Sequence, residues 1–256
     1  MAADLSTIRQ HWDAQSQLGD KAGTQDLIAK QLEQRAILAG ISTSDALLIM
    51  EVGCGRGETA RRVQQECYAS AVDAFDNSAA MIAEAVTYAS VKAVNFCVGD
   101  VLDLPCDSLT YNVAYTQRCL INLPTWELQK QAIDAIANRL VAGGRYLMVE
   151  ASQDGLNAIN ERRVSLGLSV IKPQREWNRY MRQHELSTVT SLRLREVQNF
   201  SATYYYNSRI ANAYDAKLRG VEPDYNAPIN RMALEQPADD VHPKFSQSRL
   251  WIWEKL

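Results

Sequence analysis

Glu51-Val52-Gly53-Cys54-Gly55-Arg56-Gly57-Glu58 follows an apolar run and combines a carboxylate with a glycine at every second position. Glycines there let a backbone turn sharply and approach a ligand closely, and a helix that begins at the turn offers its unpaired amides. The spacing is G-x-G-x-G, whereas the dinucleotide fingerprint of hydride-transfer enzymes is G-x-G-x-x-G, so a nicotinamide oxidoreductase is the weaker fit. Asp76 lies 19 residues past Gly57, at the end of the next apolar stretch, where a carboxylate can hold both hydroxyls of a ribose. Asp73 competes for that role, but alternation in Ala71-Val72-Asp73-Ala74-Phe75 sets it in mid-strand and favours Asp76. Asp100 ends a third stretch, Phe96-Cys97-Val98-Gly99, where it can accept from an adenine amino group while the Val101 amide meets a ring nitrogen.

Bringing these positions together requires a strand-turn-helix repeat. Strands are expected over Ala46–Val52, Ala69–Phe75, Val94–Val98, Asn112–Thr116 and Tyr146–Val149, the last entered through Gly143-Gly144. Ser78 caps an expected helix whose face carries Met81, Ile82, Ala85, Val86 and Ala89, and Trp126–Leu140 is another, with Leu128, Ala132, Ile133, Ile136 and Leu140 inward. Leu27–Leu38 and a shorter Leu5–Trp12 precede this core as helices. Beyond it, Glu196–Tyr206 and Arg249–Trp253 read as strands around helical residues 207–235, an edge hairpin on a parallel sheet. In such a strand Tyr204 and Tyr206 would share one face and Tyr205 the other.

Together these segments resemble the class I S-adenosylmethionine-dependent methyltransferases over residues 45–151, with a bacterial small-molecule subgroup nearest. Glu51 to Gly57 is similar to that family's first motif, Asp76-Asn77-Ser78-Ala79-Ala80-Met81 to its ribose motif, Gly99-Asp100-Val101 to its adenine motif and Leu140-Val141-Ala142-Gly143-Gly144 to the turn before strand five. The resemblance implies an α/β fold: a doubly wound, mostly parallel seven-stranded sheet with helices on both faces. It further implies an N-terminal helical lid (1–44), a cofactor-binding Rossmann-like core (45–151) and acceptor-side helices with the last two strands of the same domain (152–256). The cofactor implied is S-adenosylmethionine, with S-adenosylhomocysteine as product. Its expected ligands are Glu51, Gly53, Gly55, Gly57, Asp76, Asn77, Met81, Asp100, Val101 and Gln117, the last at the methionine end. One departure is Tyr111-Asn112, where the family often has Phe-Asp at the start of strand four. The loop from Gln117 to Pro124, the stretch Trp177-Asn178-Arg179-Tyr180 and the stretch Glu222-Pro223-Asp224-Tyr225 also resemble the small-molecule subgroup.

The acceptor side rests on charge. Lys and Arg against Asp and Glu number 12 and 18 over residues 1–150, 11 and 6 over 151–220, and 4 and 6 over 221–256, giving −6, +5 and −2, which sum to the chain's −3. The basic segment offers Arg162, Arg163, Arg175, Arg179 and Arg182 as guanidinium forks for a phosphate or carboxylate, against their alternative as solvated helix faces. Arg118 sits at a strand end where open α/β sheets bind ligands, or else pairs with a neighbouring helix. Trp177, Asn178, Tyr180 and Tyr205 are candidates for an acceptor wall. His184, beside Glu185, is the candidate general base, ahead of His11 and His242.

The acidic balance argues against nucleic acid as partner. No apolar run approaches the ~18 residues of a membrane span, and the first residues lack a signal pattern, so a cytoplasmic protein without membrane association is expected. Five cysteines (Cys54, Cys67, Cys97, Cys106 and Cys119) without a C-x-x-C pair read as reduced thiols, with no metal. The oligomeric state is left open. The function expected is methyl transfer to a small, anionic metabolite, with O-methylation of a sugar, nucleotide-sugar or acid ahead of N-methylation of a small amine. The alternative of another class is an inactive S-adenosylmethionine-binding regulatory protein.

Overall fold

The computed structural model describes residues 4–41, 47–67, 69–88, 94–104, 110–224, 227–235 and 242–256. Ala46, Ala89, Cys106 and Tyr225 lie outside them. Seven strands form one sheet: β1 (Leu47–Val52), β2 (Ala69–Asp76), β3 (Val94–Val98), β4 (Tyr111–Gln117), β5 (Leu140–Ala151), β6 (Leu192–Gln198) and β7 (Ser248–Lys255), ordered β3-β2-β1-β4-β5-β7-β6. The first five pair in parallel. β7 is antiparallel to both β5 and β6, so the late hairpin inserts its last strand beside the parallel set.

Helices α1 (Leu5–Gln15), α2 (Leu27–Ile41), α3 (Glu58–Glu66), α4 (Ala79–Thr87) and α5 (Trp126–Asn138) accompany the parallel strands. Successive strand residues point to opposite faces, and both faces of the sheet's centre are covered, which is why β1 and β4 are largely buried while the edge strands β3 and β6 carry exposed residues. Met50, Ala114, Tyr146 and Met148 pack with Ile133 and Ile136 of α5. Ile49, Val113, Tyr115, Leu147 and Val149 pack with Ile37 and Ile41 of α2 and with Ala60 and Val63 of α3. The hydroxyls of Ser78 and Thr125 accept from the amides of Met81 and Leu128, fixing the starts of α4 and α5.

Two expectations are corrected. β5 starts at Leu140, and Gly143-Gly144 lie inside it: Leu140 pairs with Tyr111 and Arg145 with Val113, so an irregular excursion absorbs the extra β5 residues. The other correction concerns Tyr204-Tyr205-Tyr206, which is not strand. β6 ends at Gln198, and the tyrosines form α8 (Ala202–Tyr206), after α6 (Gln153–Ser165) and the short α7 (Gln183–Leu186). A π-helical turn, Asn207–Ala211, leads into α9 (Asn212–Arg219), with the short α10 (Pro228–Arg231) following. Tyr204 and Tyr205 pack with Ala29, Leu32, Ile159 and Phe245, so burial against α2 and α6 overrides their strand propensity.

The crossing of α6 over the segment before β7 is closely fitted. A Cβ on Gly155 would lie 2.1 Å from the Ser246 carbonyl oxygen. Gly155→Ala must displace backbone, and overpacking of this kind costs ~1–3 kcal/mol. A fall in the urea midpoint of that variant, with an unchanged slope, checks this packing.

Candidate active site

A cavity of about 240 Å³ opens at the carboxyl ends of β1, β2 and β4, the edge where open α/β sheets bind ligands. Its floor is the turn after β1. Gly53 (φ 78°) and Gly55 (φ 53°) are left-handed, and the Gly53 and Cys54 amides both donate to the Phe75 carbonyl at 2.8 and 2.9 Å. A Cβ on Gly53 would meet Cys119 at 2.6 Å, whereas one on Gly55 would meet no protein atom within 4 Å. Gly55 is therefore bare toward the cavity, a cradle that a side chain would fill. Gly57 does not line the cavity. It caps α3 with φ 70°, and its Cβ would lie 2.1 Å from the Phe96 ring, so it serves close packing of helix on sheet.

Of the other expected cofactor residues, Glu51, Asp76, Asn77, Met81, Asp100, Val101 and Gln117 all line the cavity. Asp76 ends β2 and accepts the amides of Gly55 and Ser78 at 2.8 and 2.9 Å, which ties the glycine turn to the start of α4. Burial raises its pKa, opposed by those two amides. Asp73 instead accepts from the Tyr111 hydroxyl and the Asn95 amide, away from the cavity. Asp100 receives the Leu102 amide at 2.9 Å. Burial pushes Glu51 up to about 8 although the Tyr115 hydroxyl donates to it at 2.9 Å, and the Asp76 carboxylate adds to the rise.

Sequence reasoning missed two acids. Glu33 of α2 is buried and accepts from Gln117 Nε2 at 2.9 Å, Arg118 Nε at 3.0 Å and the Ser248 hydroxyl at 3.1 Å. The available signal was its place within Ala29, Glu33, Ile37 and Ile41, a charged residue in a row of apolar ones at helical spacing. Glu150, at the end of β5, accepts the amides of Cys119, Leu120 and Ile121, and burial still pushes it up to about 7. It holds the loop leaving β4. Arg118 in that loop lines the cavity with φ 52°, the one positive φ outside glycine among the described residues, and its charge is matched by Glu33.

The acceptor-side candidates fall mostly outside the cavity. His184 is exposed on α7, and Glu185 pairs with Arg179 rather than orienting it, so the expected base is not at the site. Asn178 donates to Asn122 Oδ1 at 3.1 Å, and the Arg179 amide to the Ile121 carbonyl at 2.9 Å, which fixes residues 175–181 onto the β4 exit loop. Tyr180 is buried and bonded to Gln247, and Tyr205 is buried against α2 and α6. Trp177 packs edge-on against His11, with ring centroids 5.1 Å apart. α1 closes the cavity from above through Leu5, Ile8 and Trp12, held by Asp13 accepting from the Ser78 hydroxyl at 2.6 Å. His242 stacks on Tyr206. The four described cysteines, Cys54, Cys67, Cys97 and Cys119, are free thiols. No helix among the described residues is long and apolar enough to cross a membrane.

Residues 49–144 match the family model of a methyltransferase domain. No curated protein matches the chain in sequence. Among solved structures, the fold is shared with the N-methyltransferase NodS of Bradyrhizobium japonicum in complex with S-adenosyl-L-homocysteine, at 11% identity over 97% of this chain and 98% of that one, TM-score 0.59. It is also shared with the CcbJ methyltransferase of Streptomyces caelestis, at 14% identity over 88% and 89%, TM-score 0.57. A third is the [4+2]-cyclase SpnF, at 17% identity over 87% and 80%, TM-score 0.56. The domain match lies within the parallel half of the sheet, and the seven-stranded fold around it is the one shared with these methyltransferases.

Glu51 makes stability depend on pH. Its folded pKa of about 8 stands above the ordinary carboxyl value of 4.5, so the folded chain holds a proton that the unfolded chain has lost. The stabilisation is complete below pH ~4.5 and disappears as pH rises through ~8. The urea midpoint should therefore fall between pH 5 and pH 9 (about the window between those values), and Glu51→Gln should flatten the fall. An identical slope in the variant would show that Glu51 is ionised in the folded chain.

Proposed function

We propose that the chain binds S-adenosylmethionine in this cavity and transfers its methyl group to a small anionic metabolite. The observation that carries this reading is the convergence of bare Gly55, Asp76 and Asp100 at three consecutive strand ends of one cavity. The donor set fits the cofactor. Each Asp76 oxygen accepts one amide in the structure and retains a lone pair for a ribose hydroxyl, while Asp100, Val101, Asn77 and Met81 line the same cavity, where the first two would read the adenine edge and the others would flank the nucleoside. Glu51 and Gln117 would face the methionine end, where Glu51 would release its proton to solvent on pairing with the cofactor's ammonium.

When bound, the cofactor supplies a sulfonium methyl already activated for in-line displacement. What remains for the protein is alignment and exclusion of water. Trp12, Ile8 and Leu5 of α1 supply the apolar cover, which supports residues 1–44 as a lid over a core of 45–151, with 152–256 on the acceptor side. Gln117 and Arg118, fixed by Glu33, bound the acceptor end. No histidine lines the cavity. A carboxylate acceptor needs no strong base, which favours an acid over a sugar hydroxyl for O-methylation. The same absence suits a small amine, and NodS is an N-methyltransferase, so N-methylation is the second reading.

Asp76→Ala should weaken S-adenosylhomocysteine binding at least about tenfold, since charge-assisted bonds are worth ~1.5–3 kcal/mol each. Calorimetry measures it, and a larger loss in Asp73→Ala would move the ribose site. Binding at pH 7 should release protons in wild type and none from Glu51→Gln, read from the dependence of the heat on the buffer's ionisation enthalpy. Transfer of radiolabelled methyl to a pool of small carboxylic acids tests the activity. Tight cofactor binding without transfer to acids, sugars or amines would leave a regulatory binding protein.

A further inference from the structure

The five arginines that sequence offers for an anion have different fates. Arg162 and Arg182 are exposed, Arg179 pairs with Glu185, and Arg163 is buried with its guanidinium donating to the carbonyl oxygens of Ser169 and Arg209. Arg118 lines the cavity, but the buried Glu33 carboxylate already matches its charge. Arg175 differs from all of these. Its guanidinium carbon stands 4.8 Å from the ring centroid of Trp12, a wall of the cavity, and its Nε donates to His11 Nε2 at 2.9 Å. It is half-buried and has no carboxylate at ion-pair distance among the described residues.

Two like charges held close in a half-buried place each disfavour the other's charged form, and an anion between them relieves both. Arg118 is close enough to lower the Arg175 pKa, in addition to the effect of burial. The arrangement around Arg175 is built to hold it in place without neutralising it. Trp12 supports its face, the neutral His11 ring accepts from Nε, the Gln174 side chain accepts from Nη1 at a long 3.4 Å, and the Asn178 side chain accepts the Arg175 amide at 3.2 Å. The indole N–H of Trp177, whose ring packs on the same His11, is buried and has no acceptor among the described residues. Burial and Arg175 both hold His11 below its ordinary pKa, which keeps Nε2 available as an acceptor.

We propose that Arg175 is the anchor for the acceptor's anionic group, a carboxylate or phosphate monoester held on Nη2 beside Trp12 with Nη1 turning to it from the long contact with Gln174, and that Arg118 is a positioning residue tied to Glu33. This rests on the methyltransferase reading and its anionic acceptor, and it relocates the anion site from the β4 exit to the segment after α6. Because the guanidinium stacks on Trp12 of α1, which lines the cavity, an anion held at Arg175 would also hold α1 against the bound acceptor. Binding of the anion and closure over the cofactor become one event.

Tryptophan fluorescence and calorimetry can follow inorganic phosphate and, separately, acetate added at constant ionic strength to the full chain, with and without saturating S-adenosylhomocysteine. Saturable binding of one or both anions is expected in wild type, and which one binds names the anionic group. Arg175→Ala should weaken it at least about tenfold, and Arg175→Lys should restore part, since an ammonium keeps the charge but loses the planar fork. Arg182→Ala, at an exposed site, should bind as wild type does. Equal binding in Arg175→Ala, or loss in Arg118→Ala alone, would overturn the assignment and return the anion to Arg118. Absence of saturable binding in wild type would also overturn it. The S-adenosylhomocysteine isotherm is independent of these arms, so failure of cofactor binding marks failure of the methyltransferase reading instead.

Discussion

A buried carboxylate at the crossing of α2 with the ends of β4 and β7 sets much of the geometry around the cavity. Glu33 receives Gln117, Arg118 and Ser248 from two strands. A buried carboxylate is tolerable only when its lone pairs are matched, so the three donors and the helix fix one another. Arg118 is held in the left-handed region, which a residue with a Cβ occupies only when its surroundings over-determine it. The orientation of α2, the Gln117 side of the cavity and the first residue of the β4 exit loop thus share one constraint.

The other two buried acids divide the remaining work. Glu150 gathers three successive amides and so freezes the loop carrying Cys119 and Asn122, while Glu51 accepts from the Tyr115 hydroxyl beside the glycine turn. Burial raises both carboxyls, and in each the donated hydrogen bonds oppose the rise.

The cover over the cavity joins distant pieces of the chain. α1 reaches Ser78 through Asp13 and reaches the segment after α6 through His11 and Trp12 against Arg175 and Trp177. These are polar or edge-on aromatic contacts, and Ile8 is the buried apolar residue that α1 adds to them. The centre of the sheet beneath is packed by apolar residues on both faces.

The sequence alone determined the parallel core and its cavity, because strand runs, the glycine turn and the strand-end acids are local patterns repeated at regular intervals. Gly53, Gly55, Asp76 and Asp100 stand where that reading put them, and Asp76 rather than Asp73 faces the cavity because side chains alternate along β2. Gly57 shows the limit, since its positive φ was legible but its packing partner Phe96, 39 residues away, was not. The tyrosines after β6 became helix because burial against α2 and α6 outweighed local propensity. Charge counting marked residues 151–220 as basic, but only tertiary structure decided which guanidinium was matched by a carbonyl, a carboxylate or nothing, and that His184 faced solvent. Pairing depends on distances between segments far apart in the chain, such as Arg118 to Glu33 or Arg175 to His11, and no local spacing encodes them.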